Sequence, residues 1–191
     1  MWISYRPREI HDNNPHLFVY STPDTYGTGS FNNDNGLFKP NPAGSSAILG
    51  GQLPAASNTN GPQIEYLMGF YLTEGSWWFY FNGEWVGYYP LSWFGDGPLA
   101  SNAKSAQFGG EATTGISLWP PMGSGTLAAG GLGNAVFQRN PSINLVDGTV
   151  QVPNLTPSPS AGQCYTVLVN NSSGTTTDTY VFFGGPGGFN C

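Results

Sequence analysis

Short runs that alternate apolar and polar side chains, or that are apolar throughout, recur along the chain between clusters of Gly, Asn, Pro and Ser. Such runs read as β-strands. They fall at His16–Thr22, Ile64–Leu72, Trp77–Tyr89, Ser105–Glu111, Asn134–Arg139, Thr149–Val152, Cys164–Asn170 and Thr179–Phe183, and the last two pair naturally across NSSGTTTD. Apolar residues at helical spacing are always interrupted by Gly or Pro, so essentially no helix is expected. Two stretches, Tyr26–Pro62 and Pro153–Gln163, have the composition of long surface loops, and loops of that size are often functional rims or lids. The pattern predicts an all-β, antiparallel β-sandwich, jelly-roll-like with two sheets, over residues 1–191 as a single domain.

The segment GSWWFYFNGEWVGYYP, Gly75 to Pro90, defines its own hairpin. Asn82-Gly83 is the preferred pair for a two-residue type I′ turn, which sets Phe81 opposite Glu84 and Tyr80 opposite Trp85. Continued without interruption, the ladder pairs Phe79 with Val86, Trp78 with Gly87, Trp77 with Tyr88 and Ser76 with Tyr89. Alternation then gives Trp77, Phe79, Val86 and Tyr88 one face and Trp78, Tyr80, Trp85 and Tyr89 the other. Gly87 opposite Trp78 leaves room for an indole ring or for something bound against it. A hairpin ordinarily hides one face and shows a polar one to water, so the second aromatic face requires a reason. Either protein covers both faces, or the second face floors a ligand groove.

Composition narrows the classes. Among 191 residues only 8% are charged, while 15% are aromatic, the opposite of a disordered chain. The net charge of -6, with five Lys and Arg in all, provides no basic patch for nucleic acid. In acid the carboxylates neutralise and few positive charges remain, so self-repulsion stays small. No apolar run is long enough for a membrane span. MWISYRPREIHD lacks the pattern of a signal peptide, but sequons at Asn154, Asn170 and Asn171 and two cysteines able to pair point toward secretion.

The candidate chemistry is sparse. His11 and His16 are the only histidines and have no cluster of further ligands, so no metal and no cofactor is expected, and both read as surface or strand-start residues. GSGTLAAGGLG, Gly123 to Gly133, lacks the following helix of a phosphate loop and reads as a tight loop. Asp12, Asp24, Asp34, Asp96, Asp147 and Asp178 suit turns and loops, and Glu84 beside the hairpin turn reads as a solvated pair partner. Glu111 differs. It ends QFGGE, where a strand would put Gln107, Gly109 and Glu111 on one face and the glycines would admit a substrate close to the backbone. Such a glutamate is either a general acid or base or an ordinary exposed strand-end carboxylate.

These stretches together resemble the neprosin-type glutamic peptidases. HLFVY followed by TPDTYGTGSFNNDNG, then GSWWFYFNGEWVGYYPLSWF, QFGGE, MGSG with GLGNAVFQRN, and CY with FFGGPGGFNC follow the family's order over essentially the whole chain. The resemblance implies a two-sheet β-sandwich, secreted and acid-active, that cleaves on the carboxyl side of proline. It gives Glu111 the place of one glutamate of the catalytic dyad. The other sits in a Glu-x-Gly-Trp strand before HLFVY; with Trp2 as that tryptophan, it falls ahead of Met1, and the offset of Glu9 does not match. Cys164 and Cys191 take the place of the family's C-terminal bridge, closing a 28-residue loop worth about 3 to 4 kcal/mol. A further family disulfide is replaced at roughly Ser30 and Asn35, which predicts a looser first loop.

The leading reading is therefore a secreted glutamic endopeptidase acting on proline-containing peptides, with Glu111 as acid or base and Gln107, Trp78, Tyr80, Trp85 and Tyr89 as the substrate groove. Flat aromatic faces suit proline rings and extended polyproline segments. Neither nucleic acid nor membrane is expected as a partner, and the state expected is a monomer. The alternative is a non-catalytic module whose aromatic floor binds carbohydrate or peptide. A glycosidase would need two carboxylates at a set separation. An extracellular coat or fibre domain would show an open sheet edge and self-assemble.

Overall fold

The computed structural model describes residues 14–24, 27–114, 117–158, 162–171, 178–189 and 191. Among them there is no α-helix; the helical segments are three short 3-10 turns, and the rest is strand and loop. The strands form several small antiparallel sheets distributed over two compact units.

One unit comprises residues 14–56 with Glu65–Ala106. Strand β1 (Tyr20–Ser21) pairs with β2 (Ser30–Phe31), and a four-stranded sheet runs in the order β3 (Lys39–Pro40), β6 (Glu84–Pro90), β5 (Ser76–Phe81), β4 (Met68–Thr73). Two-residue turns join the three long strands, with Glu74 and Gly75 at φ 49° and 69° and Asn82 and Gly83 at φ 46° and 104°. Both central residues therefore have the positive φ that a type I′ turn needs. One face of β5 and β6 builds the core, where Phe79, Phe81, Val86 and Tyr89 pack with Phe38 and Phe94, all under 8% exposed.

The predicted strand His16–Thr22 shortens to β1. Upstream of it, Leu17 exchanges backbone bonds with the glycines of the 50–51 loop (Leu17 N to Gly51 O, 3.1 Å; Gly50 N to Leu17 O, 2.7 Å), and His16 forms a single bridge to Gln52. His16 is not a surface residue: it is 8% exposed and its Nδ1 lies 2.9 Å from the Gly50 carbonyl. The stretch expected to be one long loop, 26–62, in fact carries β2 and β3. At the expected loosening, fully buried Ser30 donates its hydroxyl to Asn35 Oδ1 at 2.9 Å, and Asn35 Nδ2 donates to Gly29 O at 3.1 Å. Hydrogen bonds close the loop between these two residues.

The other unit comprises Ser57–Ile64 and Gln107–Cys191. Here β7 (Leu118–Trp119) pairs with β13 (Gly188–Phe189), β9 (Ile143–Asn144) with β10 (Val150–Gln151), and β8 (Val136–Arg139), β12 (Tyr180–Gly184) and β11 (Thr166–Asn170) form a three-stranded sheet with β12 central. The expected pairing of Cys164–Asn170 with Thr179–Phe183 is present as β11 against β12. Residues 153–158 are irregular, as expected of a loop, and the Asn171 side chain bonds both backbone groups of Leu155. No strand forms over Ser105–Glu111, however. Gly109 has φ 155°, a backbone state that L side chains rarely adopt, and it interrupts the pleat that a strand would require.

Candidate functional site

The aromatic face follows from the hairpin, with one correction. Phe81 pairs with Glu84 and Tyr80 with Trp85, as the Asn82-Gly83 turn dictates. Beyond them the register shifts: Phe79 pairs with Gly87, Trp78 with Tyr88, Trp77 with Tyr89 and Ser76 with Pro90. Val86 is the extra residue of a β-bulge, which turns every later β6 side chain to the opposite face. Tyr89 therefore leaves the expected groove. It is 1% exposed, packs edge-on to Phe38 at 5.2 Å, and directs its hydroxyl to Ser30 O at 3.4 Å. Burial pushes its phenol pKa up to about 12. Tyr88 takes its place beside Trp78, with ring centroids 4.6 Å apart.

The bulge has a visible cause in packing. A Cβ on Gly87 would collide with the Lys39 carbonyl oxygen and would come within 2.5 to 2.7 Å of Phe38 ring atoms. The space at Gly87, expected to receive Trp78 or a ligand, is filled by Phe38, itself 1% exposed. Trp77 stays on the Phe79 side of β5 and donates its indole N–H to Leu99 O at 2.8 Å.

The second face thus presents Trp78, Tyr80, Trp85 and Tyr88, joined by Tyr71 from β4, which pairs with Trp78. Trp85 is the hub, edge-on to Tyr80 at 5.2 Å, Tyr71 at 5.3 Å and Trp78 at 6.1 Å. Edge-to-face contacts of this kind hold rings at fixed angles. Trp85 keeps 39% and Tyr71 36% of its surface exposed, so the cluster offers flat apolar surface to solvent. Tyr71 is missed by reading the hairpin alone; extending the ladder across the Glu74-Gly75 turn is the signal that finds it.

Glu84, at the hairpin tip, binds the 45–47 loop. Its carboxylate accepts bonds from Ser46 Oγ at 2.7 Å, Ser45 Oγ at 2.8 Å and Ser46 N at 2.6 Å. The Ser46 hydroxyl first, then the Ser45 hydroxyl and the Ser46 amide, hold its pKa below the ordinary glutamate value. A carboxylate with a depressed folded-state pKa contributes stability that is fully present above the unfolded value and lost as pH falls through the folded one. Glu84→Gln is accordingly expected to lower the melting temperature modestly at neutral pH, with the difference from wild type vanishing in strong acid; thermal melts across that range check it. A pH-independent difference would contradict the assignment.

Three other carboxylates occupy the turns expected of them. Asp24 has its pKa lowered chiefly by the Thr28 amide, 2.6 Å away, and Asp147 by the Thr149 amide at 2.8 Å. Asp178 is lowered chiefly by Asn140, whose side-chain amide donates to it at 2.7 Å, and Arg139 lies 3.4 Å away.

Glu111 and Gln107 belong to the other unit, both exposed and both in loop. Without a strand, no pleat aligns them on one face. The backbone beside Glu111 is closely packed: a Cβ at Gly110 would come within 2.6 Å of Met122 Sδ and 2.7 Å of the Phe183 ring. The backbone just before Glu111 is thereby pressed against β12, whose Phe183 is 4% exposed. Among the described residues no group of three His, Cys, Asp or Glu side chains could hold a metal ion. Glu9, Trp2 and His11 lie outside the described residues. Cys164 and Cys191 form a disulfide with Cα atoms 5.8 Å apart.

These features define a disulfide-linked, helix-poor β protein with a solvent-facing aromatic cluster on one sheet. The chain belongs to the neprosin family, whose sequence profile matches residues 2–186. No curated protein is significantly similar to it.

Proposed function

We propose that this protein is a secreted glutamic endopeptidase that cleaves proline-containing peptides at acid pH. The observation that carries this reading is membership of the neprosin family over nearly the whole chain, with QFGGE and its Glu111 inside the matched region. Glu111 is assigned the general acid or base, transferring a proton at the attacking water or the leaving amine. Trp78, Tyr80, Trp85 and Tyr88, with Tyr71, are assigned the binding of proline rings, and Gln107 a polar contact to substrate. Exposed Trp85, held edge-on by three neighbours, is a preformed surface that loses little entropy when a stiff polyproline segment stacks on it. The disulfide fits an oxidising, extracellular setting.

The same exposed rings favour a second reading, a module that stacks sugar rings without hydrolysis. Incubation with a proline-rich peptide at acid pH, followed by mass spectrometry, separates the two. New termini following proline are expected. An intact peptide together with retention on a polysaccharide panel would replace the peptidase reading with the second.

A further inference from the structure

The two edges of the four-stranded sheet are treated differently. At one edge β3 is two residues long and consists of Lys39 and Pro40, both features that discourage further pairing. At the other edge β4 has six residues, MGFYLT, with no charge and no proline, and among the described residues no strand lies beyond it. In an antiparallel ladder hydrogen-bonded and non-bonded pairs alternate. The bond from Asn82 N to Leu67 O, 2.7 Å, fixes that phase. Leu67, Gly69, Tyr71 and Thr73 turn their backbone groups to β5, while Met68, Phe70 and Leu72 turn theirs outward.

The side chains of this outward row are apolar and incompletely covered. Phe70 packs on core residue Phe79 at 5.1 Å yet remains 45% exposed, and Leu72 is 36% exposed. The row extends the core side of the sheet past its last strand. Backbone donors and acceptors that have no strand partner among the described residues, beside apolar side chains, specify an extended polypeptide as the occupant.

We infer that β4 pairs with β4 of a second copy of this chain, antiparallel and centred on Phe70. The register is self-complementary. All three outward-facing residues find outward-facing partners only when Phe70 lies opposite its counterpart and Met68 opposite Leu72, which places apolar side chains against apolar ones on the core side. On the other side Tyr71 lies opposite Gly69, each glycine already lying against the Tyr71 ring of its own strand. Exposed Glu65 and Glu74 flank the pairing run and confine it to this segment. A two-fold contact of this kind closes after two subunits, so it yields a dimer and not a fibre. It departs from the monomer expected of the sequence and does not depend on the peptidase reading.

Sedimentation velocity over a range of concentrations tests the pairing, with circular dichroism of the aromatic cluster as the check on folding. Wild type is expected to move from the monomer mass toward twice that mass as concentration rises. Phe70→Pro removes an N–H that faces away from β5, as an edge strand tolerates, and Leu72→Lys places a charge in the row while leaving Phe70 intact. Both are expected to lose the dimer. Under mild oxidation Phe70→Cys is expected to cross-link to itself, whereas Met68→Cys and Leu72→Cys cross-link only when mixed. A wild type that stays monomeric at every concentration overturns the inference, including one that instead captures a free extended peptide along β4. So does a dimer that survives both edge variants, or self-cross-linking by all three cysteine variants, the sign of an in-register parallel stack.

Discussion

Glu111→Gln is expected to abolish proline-directed cleavage at acid pH. Glutamine preserves the shape and hydrogen-bonding reach of the side chain but can neither accept nor release the catalytic proton. Positioned acid–base groups contribute about 10²- to 10⁴-fold to rate, so kcat/KM should fall by at least about a hundredfold. Glu111 is exposed and lies in a loop, and a thermal melt of the variant run beside the assay separates loss of the catalytic proton from loss of the fold. That separation makes the result interpretable: a loss of activity without a loss of stability assigns the role to the carboxylate. The check is a discontinuous assay on a peptide with one internal proline, comparing wild type and variant at several acid pH values. Undiminished cleavage by the variant would remove Glu111 from the mechanism. A rise in KM with kcat intact would make it a binding residue instead.

The second large effect concerns stability. Replacing Cys164 and Cys191 together by serine is expected to cost about 3 to 4 kcal/mol, because the bond closes a long loop of the unfolded chain. For a chain of this size that corresponds to a fall in melting temperature of about 10 °C. The ladder that holds the C-terminal segment is short: among the described residues β13 is two residues long and pairs with two-residue β7. Backbone also approaches backbone closely here. Any Cβ on Gly185 would strike the Cys164 carbonyl, and Gly187 meets Trp119 and Pro120 in the same way. Thermal melts of the double variant, and of wild type with and without reductant, give the answer. Reduced wild type should match the variant. A variant that melts with wild type would show that the β7–β13 region holds itself together without the bridge.

Much of the local structure was legible because it is decided by adjacent residues. Asn82-Gly83 specifies a positive-φ turn and so fixes the first two pairs of the hairpin. The β11–β12 pairing and the near absence of helix were legible for the same reason, since Gly, Pro and Asn punctuate the chain wherever a helix would need continuity. Site residues were less accessible. Alternation assigned Tyr89 to the exposed face and Tyr88 to the core, and the bulge at Val86 exchanges them. Over Ser105–Glu111 a strand-like composition forms no ladder, because Gly109 adopts a backbone state that interrupts it. Ser30 and Asn35 read as a lost cross-link, yet burial of Ser30 makes a hydrogen bond between them worth keeping.

The sequence by itself determined the strand-rich class, the hairpin turn, the cysteine pair open to bridging and the concentration of aromatics between Trp77 and Tyr89. Each depends on local conformational preference or on composition. Only tertiary structure decided which of those aromatics meet solvent. Phe38, far along the chain from the hairpin, occupies the space beside Gly87, and β3 pairs across that glycine, so β6 gains a bulge and turns Tyr89 inward. A choice of face depends on what packs against the strand from elsewhere in the chain, and the alternation of neighbouring residues carries no record of it.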